Sequence, residues 1–194
     1  ASRRGGRIPA VRETLGLTAY TIGDFALALR ELRTFRRISG SLDQVALEVD
    51  CERGLDRPER GLELARSIDR TKLSDVAAVN LAIAMSGARL DQGKAVLALA
   101  ELEIPQLKPD TAFAYSPSLF LAYAEVLDEL ERSREAEEWR ARAHVAQLAL
   151  AEAYGTPICD GPDPERPQIT PVAAKAFQRE GTASSWHSDG NYQP

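Results

Sequence analysis

Four short breaks in an otherwise helical pattern most constrain what this chain can fold into. Apolar residues recur at helical spacing over residues 9–154, and each break is a polar or glycine-containing turn followed by a second helical stretch. Aligned on Gly23, Asp56, Asp91 and Glu131, the breaks are 33, 35 and 40 residues apart. This period is typical of stacked helical hairpins, because one hairpin of two short helices cannot bury both of its apolar faces alone.

Small residues at matching places support the same arrangement. One follows each break, where the second helix would press against the first: Ala28, Gly61, Val96 and Ala136. The last helical stretch, residues 134–154, is long, as expected of a helix that covers the final apolar face of a stack. We therefore predict an all-α, right-handed α-solenoid of about four helix–turn–helix repeats, with an extended C-terminal capping helix and an irregular tail.

Composition divides the chain into three segments. Residues 1–8 form a basic leader, and because the chain begins with alanine rather than methionine we expect this leader to be the remnant of a longer N-terminus. Residues 9–154 form the helical repeat domain. Residues 155–194 are rich in proline and glycine and cannot bury enough apolar surface to fold alone. Within them a cap followed by proline predicts a short helix at 171–180, which either docks on the chain's own groove or lacks fixed structure.

The charge balance argues against general binding to nucleic acid, which requires a basic face. The formal net charge is −5, although Arg3, Arg4 and Arg7 make the leader basic. Further arginines follow the first hairpin: Arg30, Arg33, Arg36 and Arg37. We interpret these four as a solvated helix face, which is the usual position of charges on an amphipathic helix.

Cysteine usage and hydropathy indicate a cytoplasmic protein. The two cysteines, Cys51 and Cys159, are far apart and have no metal-ligand spacing, which suits a reducing compartment. Cys51 lies in a helical pattern and is expected in the core. No apolar run approaches the roughly 20 residues that span a bilayer, and the charged N-terminus lacks the apolar region of a signal peptide.

The first hairpin resembles the tetratricopeptide repeat. Leu15-Gly16 is similar to the Leu-Gly pair of that family, Tyr20 stands near its tyrosine, Gly23-Asp24-Phe25 resembles its glycine-polar-aromatic turn, and Ala28 resembles its alanine. The resemblance covers roughly residues 9–154, and it implies a helical-repeat fold and a binding role without an activity.

The later hairpins depart from this pattern. The second has Val49 in place of the small glycine and Pro58-Glu59 where an aromatic residue is usual, while the third has Gln92-Gly93 at its turn. Residues 50–65 are similar to a tetratricopeptide-repeat family found in actinobacteria. That family, too, implies a fold and a binding role only.

Motifs for catalysis are lacking. The chain has no glycine-rich phosphate loop and no nucleophile elbow, and His144 and His187 have no partners at metal-ligand spacing. Glu135, Glu137 and Glu138 fall on successive helical positions and are interpreted as a solvated face. We therefore predict a protein that is not an enzyme and that has no cofactor and no metal site.

The predicted binding surface lies on the exposed side of the first helix of each hairpin. Aligning the breaks gives a row of Tyr20, Arg53, Ala88 and Asp128 and a parallel row of Leu17, Asp50, Met85 and Glu125. We expect this strip to hold a peptide or partner helix, which makes the chain a non-catalytic scaffold for protein–protein interaction. The plain alternative for the strip is an ordinary solvated face. The alternative function is a regulatory or oligomerisation domain of a larger protein, acting near nucleic acid through the basic leader.

Overall fold

A computed structural model describes residues 8–154, and these form eight α-helices with short connections. In chain order they are α1 (Pro9–Thr21), α2 (Phe25–Ser39), α3 (Val45–Gly54), α4 (Pro58–Ser67), α5 (Asp75–Asp91), α6 (Ala95–Leu102), α7 (Ser116–Glu129) and α8 (Ser133–Tyr154), and a 3-10 turn at Arg70–Lys72 precedes α5. No strand occurs in this part of the chain, so the all-α class is confirmed for it. The basic leader and the predicted helix at 171–180 lie outside the described residues.

The same turn joins the two helices of every pair. Its central residue has a positive φ, namely Gly23 (81°), Asp56 (59°), Gly93 (68°) and Glu131 (59°). In each turn the next residue donates its backbone N–H, at 2.9 Å, to the carbonyl oxygen five residues earlier: Asp24 to Ala19, Arg57 to Glu52, Lys94 to Arg89 and Arg132 to Leu127. This hydrogen bond satisfies a carbonyl that the end of the first helix would otherwise leave without a partner.

The third turn lies two residues later than the sequence alignment placed it. Asp91 is the last residue of α5, and the left-handed residue is Gly93. Glycine adopts this conformation at little cost, whereas a residue with a Cβ atom meets steric resistance there. The central residues of the four turns are therefore 33, 37 and 38 residues apart.

This shift also corrects the series of small residues. The residue five positions after the central residue of each turn is buried in all four pairs: Ala28, Gly61, Ala98 and Ala136. Val96, which we predicted for the third pair, is instead 70% exposed. At Gly61 an added Cβ atom would lie 3.2 Å from both Cγ1 and the carbonyl oxygen of Val49, so the second helix approaches the first closely at this point.

The helix pairs pack on one another through three buried clusters. One joins α1, α2 and α3 around Leu32, the next joins α3, α4 and α5 around Leu62, and the third joins α5 to α8 around Leu119. Besides the contacts between consecutive helices, α3 packs on α5 and α5 packs on α7. Cys51 is fully buried in the first cluster, as predicted. The first helices of successive pairs are thus neighbours in space.

The α8 helix packs on α7, its partner in the last pair. Its 22 residues make it the longest helix among residues 8–154. Ala143 and Ala146 are buried against Phe120 of α7, and the ring of Trp139 lies 5.2 Å from the ring of Phe120 and 4.8 Å from that of Tyr123. An extended helix after the last turn was predicted, and its packing against α7 agrees with a covering role.

The corrected position of the third turn can be tested with two substitutions to leucine. Ala98→Leu adds three carbon atoms at a position with no exposed surface, and overpacking of this kind lowers the free energy of unfolding by about 1–3 kcal/mol. Val96→Leu, at a position that is 70% exposed, is the matched control and should change it by less than about 0.5 kcal/mol. Urea unfolding measures both values, and the opposite order of the two effects would contradict the corrected alignment.

Candidate binding surface

Counting back from the left-handed residue of each turn defines the candidate binding surface on the first helices. The residues six and three positions earlier form what we name the first-helix row: Leu17 and Tyr20 of α1, Asp50 and Arg53 of α3, Gly87 and Leu90 of α5, and Glu125 and Asp128 of α7. Six of the eight residues that the sequence alignment placed on this surface belong to this row. The two exceptions, Met85 and Ala88, lie on α5.

Met85, which the sequence alignment placed on the binding surface, faces the core. Its exposed fraction is 2%, and that of Ala88, which the sequence alignment also placed on the surface, is 0%. An α-helix turns by roughly 100° per residue, so an alignment error of two residues rotates a position by roughly 200°, to the opposite side of the helix. Gly87 and Leu90 occupy the corresponding positions, and both are partly exposed.

Tyr20 and Leu17 are less exposed than expected of a binding face. Only 8% of Tyr20 is exposed, because its ring packs edge-on against the ring of Phe25 at 5.9 Å. Its hydroxyl group donates a hydrogen bond to Oδ2 of Asp50 at 3.3 Å. Burial, together with the charge of Asp50, raises the pKa of the Tyr20 hydroxyl. Leu17 is half-buried against the cluster of α1, α2 and α3.

Arg53 links two successive first helices. Its Nη1 donates to Oδ1 of Asp50 at 2.8 Å, and its Nε and Nη2 donate to Oδ2 and Oδ1 of Asp91 on α5 at 2.7 and 3.3 Å. Together with Tyr20, these residues form what we name the first-helix network, which spans α1, α3 and α5. The guanidinium group lies over Gly87, where an added Cβ atom would be 2.3 Å from Nη1.

Burial influences the charges of this network. The side chains of Arg53 and Asp50 are 26% and 13% exposed. Burial raises the pKa of the Asp50 carboxyl even though Arg53 opposes the change. For Arg53, burial lowers the pKa, but the hydrogen bonds and charges of Asp91 and Asp50 outweigh it, and the pKa is raised. The arginine therefore stays charged between two carboxylates.

The C-terminal end of the row is acidic and separate from the network. Asp128 forms an ion pair with Arg140 of α8. Glu125 is exposed, and among the described residues it takes part in no ion pair. Neighbouring side chains partly desolvate its carboxyl group, and this desolvation, with the charge of Asp128, raises the pKa of Glu125 although Arg140 opposes the change. No hydrogen bond within residues 8–154 connects Glu125 or Asp128 to the first-helix network.

The structure also reveals three buried glutamates that the sequence analysis missed. Glu31, Glu48 and Glu52 are 2%, 0% and 1% exposed. Their ion pairs are made by arginines of the first two helix pairs, and with them they form what we name the arginine–glutamate cluster: Arg12 and Arg30 pair with Glu31, Arg33 and Arg36 with Glu48, and Arg33 and Arg57 with Glu52. Arg36 donates to both carboxylate oxygens of Glu48, at 2.8 and 3.0 Å.

These contacts correct the interpretation of the first-hairpin arginines as a simple solvated face. Arg37 is exposed, but Arg33 and Arg36 turn toward carboxylates that lie between α2 and α3. One signal in the sequence pointed to them. Glu48 and Glu52 are four residues apart and so share one face of α3, in a helix whose residues Val45 to Val49 are all buried.

Glu31 should make the stability of the chain sensitive to acid. Burial raises its pKa, but the hydrogen bonds from Arg12 and Arg30 outweigh burial and leave the pKa below the usual value. A carboxyl group whose pKa is lower in the folded than in the unfolded state stabilises the fold above the unfolded value, near pH 4.3, and loses this contribution as the pH falls through the folded value.

The expected result is a pH-dependent cost of Glu31→Gln. At pH 7 the substitution should lower the free energy of unfolding by about 2 kcal/mol, because Arg12 and Arg30 lose their charged partner. The difference between the two proteins should shrink as the pH falls from 5 to 3, which urea unfolding at several pH values measures. Glu137→Gln, at an exposed position of α8, is the control. If the loss in free energy of unfolding caused by Glu31→Gln did not depend on pH, the ionised Glu31 carboxylate would not be the source of the stabilisation.

The substitution Gly87→Ala tests whether the Arg53 guanidinium packs directly on Gly87. The added Cβ atom should displace the Arg53 guanidinium and break its contact with Asp91, because the guanidinium is the flexible end of a side chain. The fold should persist within about 1 kcal/mol, since alanine favours a helix over glycine by a similar amount. The Nε–H resonance of Arg53 should shift as it does in Asp91→Asn, and an unchanged resonance would contradict this packing.

Other features of the described residues bear on function classes. Within residues 8–154 no three or more histidine, cysteine, aspartate or glutamate side chains are grouped so that they could hold a metal ion. No helix there has both the length and the apolar character needed to cross a membrane. Compared with protein-family models, with curated proteins and with solved structures, the chain has no match.

Proposed function

We propose that this chain is a non-catalytic scaffold for protein–protein interaction, built as a right-handed solenoid of four tetratricopeptide-like repeats. Three features of residues 8–154 support this arrangement. The same left-handed turn recurs four times, a buried small residue follows each turn by five positions, and the first helices pack on one another from α3 to α7. In such a stack the first helices line one continuous surface.

The first-helix network is the observation that carries the binding proposal. It brings polar groups of three successive first helices together, and Asp50, Arg53 and Asp91 remain partly exposed. A peptide or helix lying across the first helices would meet a guanidinium group and carboxylate oxygens close to one another, as peptide recognition requires. Glu125 at the acidic end of the row offers a further charge, which favours a partner with a basic side chain.

Exchange of the two charges on α3 tests this proposal. Asp50→Arg combined with Arg53→Glu keeps an opposite pair on the helix but places a carboxylate against Asp91. The exchange should reduce the amount of partner recovered by the immobilised protein from a cell extract at least tenfold, which corresponds to about 1.4 kcal/mol of binding free energy. Quantitative mass spectrometry of the bound proteins gives this amount.

The matched control is a charge exchange on a second helix. Glu63→Arg combined with Arg66→Glu alters two exposed residues of α4 and should leave the recovery of the partner unchanged. Circular dichroism of both double variants establishes that the helices persist. Equal recovery with the wild-type protein and with the α3 exchange would contradict the assignment of the partner to the first-helix row.

A further inference from the structure

A second candidate site lies between α2 and the turn that joins α3 to α4. It is a surface depression of about 390 Å³ that is largely open to solvent. Three arginines and three apolar residues line it, and we name it the arginine pocket: Ala26, Leu29, Arg30 and Arg33 of α2, with Leu55 and Arg57 of the turn. None of these residues belongs to the first-helix row or to the first-helix network, so the pocket is a different site.

The charges around the pocket do not balance. Even without Arg12, the ion pairs of the arginine–glutamate cluster join four arginines to three glutamates, which leaves an excess of one positive charge. All three glutamates are buried, whereas the side chains of Arg30, Arg33 and Arg57 are 70%, 48% and 38% exposed. The positive charge that remains is therefore presented to the solvent at the pocket.

The pocket arginines differ in how their guanidinium groups meet the glutamates. Arg30 donates a hydrogen bond to Glu31 at 3.0 Å, and Arg33 donates one to Glu52 at 2.6 Å. The Nε atom of Arg57 lies 2.8 Å from Oε2 of Glu52, yet the two atoms are not aligned and neither forms a hydrogen bond. Within residues 8–154 the Nη1 and Nη2 groups of Arg57 donate no hydrogen bond, so these two groups can meet an oxyanion while Nε stays paired with Glu52.

The apolar part of the lining narrows the chemistry of the ligand. Leu29 is almost fully buried, Leu55 is half-buried and Ala26 is exposed, and all three line the pocket. Inorganic phosphate would leave these carbon atoms without contacts, whereas an organic acid can cover them. We propose that the arginine pocket binds a small organic carboxylate whose charged end meets Arg30, Arg33 and Arg57 and whose apolar body rests on Ala26 and Leu55.

Binding of N-acetyl-leucine to the 194-residue chain tests this inference. Its dissociation constant should be on the order of 1 mM, which is reasonable for a ligand of this size. Two matched probes are its neutral amide, N-acetyl-leucinamide, and inorganic phosphate, and both should bind at least tenfold more weakly. Backbone amide resonances of Leu29, Leu55 and Arg57, followed during titration by nuclear magnetic resonance, report the occupancy of the pocket.

Two variants on α2 separate the pocket from a general effect of charge. Arg30→Gln removes a guanidinium that lines the pocket, and because its side chain is 70% exposed the fold should tolerate the change. It should weaken binding of N-acetyl-leucine about fivefold, as expected for one partly exposed charge contact. Arg37→Gln removes the same charge from an exposed position of the same helix outside the pocket, and binding should be unchanged.

Four outcomes would overturn the inference. The first is the absence of saturable resonance shifts up to about 50 mM N-acetyl-leucine, a concentration more than ten times the expected dissociation constant. The second and third are binding of the neutral amide, or of phosphate, as tight as that of N-acetyl-leucine. The fourth is an equal effect of the Arg30 and Arg37 substitutions on binding. Because the first-helix row takes no part in these measurements, they are independent of the scaffold proposed above. The double charge exchange at Asp50 and Arg53 should leave the affinity for N-acetyl-leucine unaltered.

Discussion

The left-handed turn between the helices of each pair is the constraint on which the rest of this structure depends. The hydrogen bond that follows its central residue sets where the first helix ends and where the second begins. With these ends set, the residue five positions later lies at the contact of the two helices, and only a small side chain fits there. The residues three and six positions earlier then share one side of the first helix. Asp56 and Glu131 adopt the same left-handed conformation although neither is a glycine, so the turn recurs even where its central residue carries a Cβ atom.

The contact between the first two helix pairs combines an apolar cluster with three buried carboxylates. Three buried carboxylates between α1, α2 and α3 are stabilised by arginines, and removing any one partner would leave a charge in a poorly solvated place. Such a contact adds little to stability compared with apolar packing, but it admits few alternative arrangements. Only a helix that presents Arg33 and Arg36 at the correct spacing can cover Glu48 and Glu52. The cluster is therefore better suited to fixing the order and register of the pairs than to strengthening them.

Much of the architecture could be predicted from the sequence, and the errors have identifiable causes. Helical periodicity and the glycine, aspartate and glutamate breaks predicted the number of helix pairs and the long last helix. At the third break, both Asp91 and Gly93, two residues apart, could be the central residue of the turn. The left-handed φ of Gly93 in the structure identifies Gly93 as that residue. That error of two residues placed Met85 and Val96 wrongly. The buried glutamates were missed because periodicity treats every glutamate as exposed, and because every partner arginine except Arg30 lies outside the helix of its glutamate.

The two candidate sites differ in how much of their charge is already used. In the first-helix network one arginine stands between two carboxylates, so a partner must share or replace existing ion pairs, and the cost of breaking them makes binding selective rather than tight. In the arginine pocket the glutamates satisfy only part of the guanidinium capacity, so an anion gains contacts without first breaking any. The same clustering of arginines that holds the first two pairs together thus leaves a surplus of positive charge at their edge. Because the net charge of the whole chain is negative, this excess of positive charge is confined to the pocket. A confined positive charge suits a small anion, whereas binding of polyanions requires an extended positive surface.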